Sequence, residues 1–398
     1  MIKVLKFGGE VLKNIRRIKL AALEVEKEIK NGTKPVVVVS AMGNTTDELL
    51  KLSEKITKKP DKRELDMLLS AGERIAMALF SLSLRERKIE ARSLTGSQAG
   101  ILTDTKHSSA HILEIRGKRI IETLEKGQVP IIAGFQGVSI EKEVTTLGRG
   151  GSDLTAAALA VFLKTRDVVF YKDVDGIYAI PPKLIKKSKR IEKLSFAEML
   201  FLSEYGAEVL NPRAVALGMR YDLKFYIKKM NSNNITLIEN EAIETPYVKA
   251  IVIKKGLSVL LLEKVRENMD IPQLAKFLNE NNVNVLFFTH GIRKEKGVDL
   301  TFVVEKKDKI EKSLLKEIES KYKPLQIKVI KKMGTLTLVG YGIGDSPLIL
   351  EESLSVLEKI GIHVYAIFAS KPGIILLLEE ENLTKALKAL SKKWNLTS

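Results

Sequence analysis

The sequence predicts an α/β chain: a three-layer αβα domain on a mostly parallel sheet, followed by two smaller α+β units of βαββαβ plan. Three observations carry this. Short β-branched runs such as Pro35–Val39 (PVVVV) alternate with helical stretches over the first 240 residues, and runs apolar throughout suit strands buried on both faces. The stretch Leu154–Leu163 (LTAAALAVFL) is apolar all round, as a helix enclosed between layers is. After about Glu244 the plan changes to two helix–strand groups of similar outline and little shared sequence, a repeat of pattern rather than of residues.

In chain order, Ile2–Phe7 reads as a short apolar strand ending in Gly8-Gly9, and Pro35–Val39 as the next. Leu65, Leu68, Leu69, Gly72, Ile75, Ala76 and Leu79 fall at helical spacing. Val129–Ala133 and Val168–Tyr171 are further buried strands, and Ser195 with Glu198 forms a capping box for the helix that follows. In the second region, helical Pro272–Asn281 leads into strand Val283–Phe288, and helical Leu348–Ile360 into strand Ile362–Phe368. Strands near Leu300–Val304, Leu336–Val339 and Ile374–Leu378 complete the two sets. The expected division is residues 1–244 and 245–398, the latter holding units at about 256–330 and 331–398.

Composition excludes several function classes. The 398 residues include no cysteine, so there are no disulfides, thiol nucleophiles or cysteine metal sites. No run approaches the roughly 20 uninterrupted apolar residues of a membrane span. The N-terminus opens directly into a strand, which leaves no room for a signal peptide; a cytoplasmic protein without membrane partners is expected. The net charge of +17 is spread along the chain and interleaved with acids. Its densest run, Lys183–Arg190, holds no aromatic residue for base stacking, so no nucleic-acid partner is expected.

Four segments carry chemistry, and ligands bind at the C-terminal edge of parallel strands in open α/β folds. Gly8 and Gly9 let backbone approach a phosphate, with Lys6 supplying positive charge; alone this is also an ordinary turn. Ser40–Asp47 (SAMGNTTD) follows PVVVV with small hydroxyls that bind substrate or cap the next helix. Glu73 lies among Leu69, Ala71, Gly72 and Ala76, where a carboxylate is expensive to bury unless paired, for example with a substrate ammonium. The strongest is Thr145–Asp153 (TTLGRGGSD), opening the apolar helix. Ser152 or Asp153 is expected to cap that helix, whose N-terminus makes an anion site. Arg149 suits a carboxylate through two parallel bonds. Asp153 is placed to orient phosphate and acceptor or to balance Lys6. No P-loop sequence is present. His107 and His111 stand four apart as in some zinc sites, but no third ligand accompanies them. Asp173, Asp175 and Gly176 follow another strand and line a nucleotide pocket or make a turn.

Together the segments KFGGE, VVVVSAMGNTTDELL, LLSAGERIA, GFQGVSIEKEVTTLGRGGSDLTAAALA, KDVDGIY and FAEMLFLSEYGAEVLNPRA resemble those of the aspartate kinases, a branch of the amino-acid kinase family. Residues 245–398 resemble that family's tandem ACT modules, and strand 248–254 is expected to belong to the second of them, interleaving the two. The resemblance implies transfer of the γ-phosphoryl group of ATP to the β-carboxylate of L-aspartate, with Mg2+ arriving on the nucleotide and no protein ligand named for it. It further implies that Lys6 and Asp153 are catalytic. Gly8, Gly9, Ser40, Gly150, Gly151, Lys172, Asp173, Tyr178 and Lys183 would hold phosphate and nucleotide. Thr46, Glu73, Arg149 and Ser152 would hold aspartate. In the ACT region Asn268, Asp270 and Ser346 are the polar residues available to an amino-acid effector such as lysine or threonine, and the modules imply a homodimer or higher oligomer. No dehydrogenase domain is expected after Ser398.

Departures accompany the resemblance. Glu10 stands where the family has Ser or Thr, and Pro181-Pro182-Lys183 replaces D-P-R; Lys183 keeps the charge without the planar fork. A basic nucleotide contact is expected at Lys228 or Lys229. Two other readings remain open at this point. One is a sibling kinase acting on acetylglutamate, glutamate, carbamate or a nucleoside monophosphate; the other is an inactive amino-acid sensor, suggested by Glu10.

Overall fold

The computed structural model describes residues 1–207, 209–240, 246–265, 271–281, 283–292, 298–305, 312–322 and 324–397. The chain divides into two compact units, Met1–Ala179 with Lys189–Ile243 and Ile180–Ser188 with Glu244–Ser398.

The first unit is built on strands β1 (Ile2–Phe7), β2 (Lys34–Val39), β3 (Ala91–Leu94), β4 (Val129–Ala133), β5 (Asp167–Lys172), β6 (Lys193–Ser195), β7 (Lys224–Lys229) and β8 (Ile235–Glu239). They form one sheet in the order β6-β8-β7-β5-β1-β2-β4-β3. Every neighbouring pair is parallel except β7–β8. Its helices are α1 (Ile15–Lys30), α2 (Thr45–Ile56), α3 (Lys62–Leu69), α4 (Ala71–Glu86), α5 (Lys118–Glu125), α6 (Gly151–Phe162), α7 (Phe196–Tyr205) and α8 (Pro212–Arg220).

Alternation along β1 decides what each face sees. Leu5 and Phe7 pack with Ile18, Ala21 and Val25 of α1 and Phe80 and Leu84 of α4, with Phe7 stacked on Tyr171 at 4.5 Å. Lys6 points to the opposite face, where α6 lies against β1 and β5. The apolar run Leu154–Ala160 is buried throughout, as a helix between layers requires. Ser195 and Glu198 make the expected capping box at α7.

Three local expectations give way. The helical stretch around Leu65–Leu79 breaks at Ser70, whose hydroxyl donates to the Met67 carbonyl at 2.9 Å. The buried stripe keeps one phase across the break, through Asp66, Leu69, Glu73, Ala76, Phe80 and Leu84, and leaves Ile75 outside. By length and composition Lys62–Glu86 also suits a membrane span, yet half of its most apolar window is buried inside the unit. No hydroxyl caps α2: Asn44 holds the N-cap without a side-chain bond, and Thr45 bonds back to the Met42 carbonyl at 2.7 Å. Nor does Ser152 or Asp153 cap α6. The N-cap is Gly150 in the left-handed region (φ +72°), so both side chains already sit in the first turn and project from it.

Because β5, β1, β2 and β4 are parallel, their C-terminal ends share one edge. The ladder continues past the strand ends, from Gly8 N–H to the Tyr171 carbonyl (3.2 Å), Ser40 N–H to Phe7 (3.1 Å) and Gly134 N–H to Val39 (3.0 Å). That fixes the three turns that open above the edge.

The second unit has an antiparallel sheet of β9 (Ala250–Val265), β10 (Val285–Ile292), β11 (Val298–Glu305), β12 (Gln326–Val339), β13 (Ala366–Ser370) and β14 (Gly373–Glu379), ordered β10-β11-β9-β12-β14-β13. Helices α9 (Ile271–Glu280), α10 (Lys312–Tyr322), α11 (Pro347–Lys359) and α12 (Leu383–Lys393) accompany it. The two long strands, β9 and β12, pair antiparallel with each other along their length. Ala250–Lys254 pairs with Thr335–Val339, while Leu257–Glu263 pairs with Gln326–Met333, with register shifts between. Gly256 (φ +73°) and Lys332 (φ +61°) mark the bends. The sheet curls until its two edges meet, Phe287 of β10 stacking on Phe368 of β13 at 4.5 Å. The strand expected from Ile362 begins only at Ala366. Gly361 (φ +71°) and Ile362 instead bond back to Glu358 and Leu357, closing α11 with a Schellman motif.

Candidate active site

At the C-terminal end of β1, Lys6 is 4% exposed and its Nζ lies 2.7 Å from Asp153 Oδ1 in the first turn of α6. Lys172, closing β5, reaches Oδ2 of the same carboxylate at 3.0 Å. Burial alone would push the Asp153 carboxyl up, but Lys172 and Lys6 outweigh it and hold it below the usual range. Burial pulls the Lys6 ammonium down to about 8 against the opposing pull of Asp153. Two cations on one buried anion leave a local excess of positive charge, which favours a further anionic group.

Glycines shape the wall around this cluster. A Cβ on Gly9 would stand 2.8 Å from the Ala41 carbonyl oxygen, and one on Gly151 would stand 2.8 Å from Leu147 Cβ. Gly148 (φ +82°) and Gly150 (φ +72°) take the left-handed turn that aims the N-terminus of α6 at the site. Gly8 sits beside Lys6, its Cβ direction passing 3.7 Å from Nζ.

A cavity of about 310 Å³ opens next to the cluster, bounded by Lys6, Gly9, Ser40, Thr46, Glu73, Arg149, Gly150, Gly151 and Ser152 among others. Glu73 is 3% exposed; its Oε1 accepts the Ala41 N–H at 3.0 Å and its Oε2 is buried with no partner. Burial raises this carboxyl to about 7 even though the Ala41 bond and Lys6 favour its charged form. The neighbouring Arg74 is not its partner. A cation entering the cavity would give Oε2 the partner it lacks. Arg149 stands at the mouth with its side chain 87% exposed, 3.5 Å from Asp47. Glu10 points elsewhere: its half-exposed carboxylate lies 3.5 Å from Lys13, so it does not repel an anion at the cluster.

The remaining sequence candidates lie apart from this cavity. Asp173 follows Lys172 in the loop after β5. Tyr178 donates to Asp175 at 2.7 Å, and Asn234 donates to the other oxygen of Asp175 at 2.8 Å. Those two bonds hold the Asp175 carboxyl below its ordinary range. Lys228 lies 5.5 Å over the Tyr171 ring. Lys183 falls in Ile180–Ser188, which clusters with the second unit. Ser346 is the N-cap of α11 and makes no side-chain cap bond; Asn268 and Asp270 lie outside the described residues. His107 and His111 do not form a pair: they bond Asp66 at 2.8 Å and Asp104 at 2.7 Å respectively. Among the described residues no three His, Asp or Glu side chains converge as a metal cage.

Sequence reasoning missed the residues that brace the site. Asp66 is fully buried and accepts Thr146 Oγ1 at 2.5 Å, the Ser108 N–H at 3.0 Å and His107 Nδ1. Through it α3 holds two walls of the cavity, Ser108 and Thr146. Asn211 and Arg213, at the start of α8, bond the loop that carries Arg149. The Asn-Pro pair gave the signal for a helix start, but nothing local says what that start touches.

The profile of the amino acid kinase family matches residues 1–229. The aspartokinase of Corynebacterium efficiens is 35% identical over 99% of this chain and 96% of its own length. Among solved structures, Escherichia coli aspartokinase III in complex with aspartate and ADP (R-state) superposes with a TM-score of 0.83 at 22% identity, covering 98% of this chain and 99% of that one. The same enzyme in complex with lysine and aspartate (T-state) gives 0.76 at 23% identity, over 99% of both chains.

Proposed function

The chain belongs to the amino acid kinase family, in its aspartokinase branch, and we propose that it transfers the γ-phosphoryl group of ATP to the β-carboxylate of L-aspartate. One observation carries this most. The cationic cluster of Lys6 and Lys172 on Asp153 borders a cavity in which the buried Glu73 has an oxygen without a partner. An anion and an ammonium are thus wanted within one small space, as a phosphoryl donor and an amino acid supply them.

In the reaction a β-carboxylate oxygen attacks the γ-phosphorus. The bond from that phosphorus to the β,γ-bridging oxygen breaks, and ADP and the acyl phosphate leave. The acceptor is already ionised at neutral pH, so positioning and charge stabilisation suffice. Lys6 and Lys172 neutralise charge on the transferring group, with Asp153 anchoring both. Gly8, Gly9, Gly150, Gly151 and Ser40 bring N–H and hydroxyl groups to phosphate oxygens. Glu73 takes the substrate ammonium, Arg149 swings from Asp47 to the α-carboxylate, and Thr46 and Ser152 complete the pocket. Asp173 and Tyr178 serve the nucleotide side. Mg2+ would enter with ATP as part of the substrate and supply further charge neutralisation to its phosphates.

We further assign residues 1–244 to catalysis and 245–398 to two ACT modules, with strand 248–254 in the second. The pairing of Ala250–Lys254 with Thr335–Val339 supports that assignment. The modules suit an amino-acid effector and pairing into a homodimer or higher homo-oligomer in the cytoplasm. Lysine is a candidate effector because the aspartokinase III structure just described contains it.

Trapping the acyl phosphate with hydroxylamine tests the reading. Mg-ATP with aspartate should yield the hydroxamate, whereas glutamate and N-acetylglutamate should not, and Lys6→Met should lower turnover roughly 10²–10³-fold. Turnover with another acceptor in place of aspartate would overturn the substrate. Addition of lysine and threonine in parallel tests the effector.

A further inference from the structure

The glycine loop before α6 has little stiffness of its own. Two of its residues take left-handed φ values, and glycine gives up the most backbone freedom on ordering. Yet it carries Arg149 at the mouth of the cavity and leads into Asp153 beneath Lys6. The restraint comes from the first turn of α8. Asn211 Nδ2 donates to the Arg149 carbonyl at 2.8 Å, and the Asn211 N–H reaches Asp153 Oδ2 at 3.3 Å. Arg213 spreads its fork, Nη1 to the Leu147 carbonyl at 2.8 Å and Nη2 to the Ala110 carbonyl at 2.9 Å. Asn211 also leans on the bare Gly150, where a Cβ would stand 3.0 Å from Nδ2. Its Oδ1 meanwhile caps α8, accepting the Arg213 and Ala214 N–H groups at 2.9 and 3.2 Å. The cap therefore fixes the side chain whose other end fixes the loop.

We infer that Asn211 and Arg213 are positioning residues for phosphoryl transfer, a clamp that sets the distance between the acceptor-binding Arg149 and the lysine-binding Asp153. Neither touches the cavity; both act through the loop. This rests on the phosphotransfer reading above. Misplacing reacting groups by a fraction of an ångström lowers the chemical step far more than it weakens ground-state binding.

Asn211→Ser keeps a capping oxygen and removes the donor to Arg149. Arg213→Lys keeps the charge but cannot bridge two carbonyls. Each is expected to lower kcat roughly tenfold or more, with the KM for ATP within about twofold and the melting temperature within about 3 °C of the parent. Arg213 also lines a groove of about 340 Å³ open to solvent behind α6. Guanidinium ion added at millimolar concentration should therefore restore part of the turnover lost in Arg213→Ala. Unchanged kcat in both conservative variants, or a loss that tracks melting temperature and ignores guanidinium, would overturn the clamp. A parent that fails to phosphorylate aspartate would instead refute the function proposed above. The clamp is then read from hydrogen exchange of residues 148–153: faster exchange in the two variants supports it and parent-like exchange overturns it.

Discussion

Glu73 shows how one side chain trades stability for binding. Its carboxyl is raised from 4.5 to about 7, chiefly by burial. The folded state therefore holds a proton that the unfolded chain has released, and this group's contribution to stability falls as pH rises from about 4.5 to about 7. A substrate ammonium favours the charged form, so aspartate binding should expel the proton. Below about pH 7, kcat/KM for aspartate should then drop by up to tenfold per pH unit. Glu73→Gln should flatten that acid limb and raise the KM for aspartate roughly 10²-fold, while leaving the melting temperature at pH 8 no lower than the parent's. A steep acid limb that survives the substitution would assign the proton elsewhere.

Among the elements, close approach decides geometry. Helix α4 brings Glu73 to the Ser40 turn only because Gly72 has no side chain: a Cβ there would lie 2.8 Å from Ala41 Cβ. Ala41 in turn donates the N–H that orients Glu73. Gly72→Ala should push α4 away from that turn, costing about 1–3 kcal/mol of stability and raising the KM for aspartate with little effect on that for ATP. Equal changes in both constants would mean that the whole unit had shifted, contrary to this account. Gly72 and Glu73 were both legible in the sequence, the latter as a carboxylate among apolar residues. The break at Ser70 was not, because a hydroxyl donating to the carbonyl three residues back leaves no mark in the apolar pattern.

For the molecule as a whole, the second unit is stitched by two strands that each serve two sets of partners. Ala250–Lys254 comes before the first helix of the unit yet pairs with Thr335–Val339, so neither half holds its full sheet without the other. These amides should open together in hydrogen exchange, and truncation after Pro324 should abolish cooperative melting of this unit, since Ile251 and Val252 lose their partners. Retained cooperative melting of the truncated unit would show that the first half stands alone.

Sequence by itself determined the layers, most strands of the main sheet and the glycine–lysine edge, because burial imposes periods of 2 and 3.6 that survive in the chain. It marked Lys6, Glu73, Arg149 and Asp153 because charge among glycines and apolar residues is costly without a purpose. Only the tertiary structure decided that Lys6 and Lys172 share Asp153, since those residues stand on two strands and a helix far apart in sequence. The same holds for Asp66 bracing Thr146 and for Asn211 and Arg213 gripping the glycine loop. Each of these consists of a few polar bonds between distant segments. Hydrophobic patterning records which face of an element is buried; it does not record which buried polar atoms meet there.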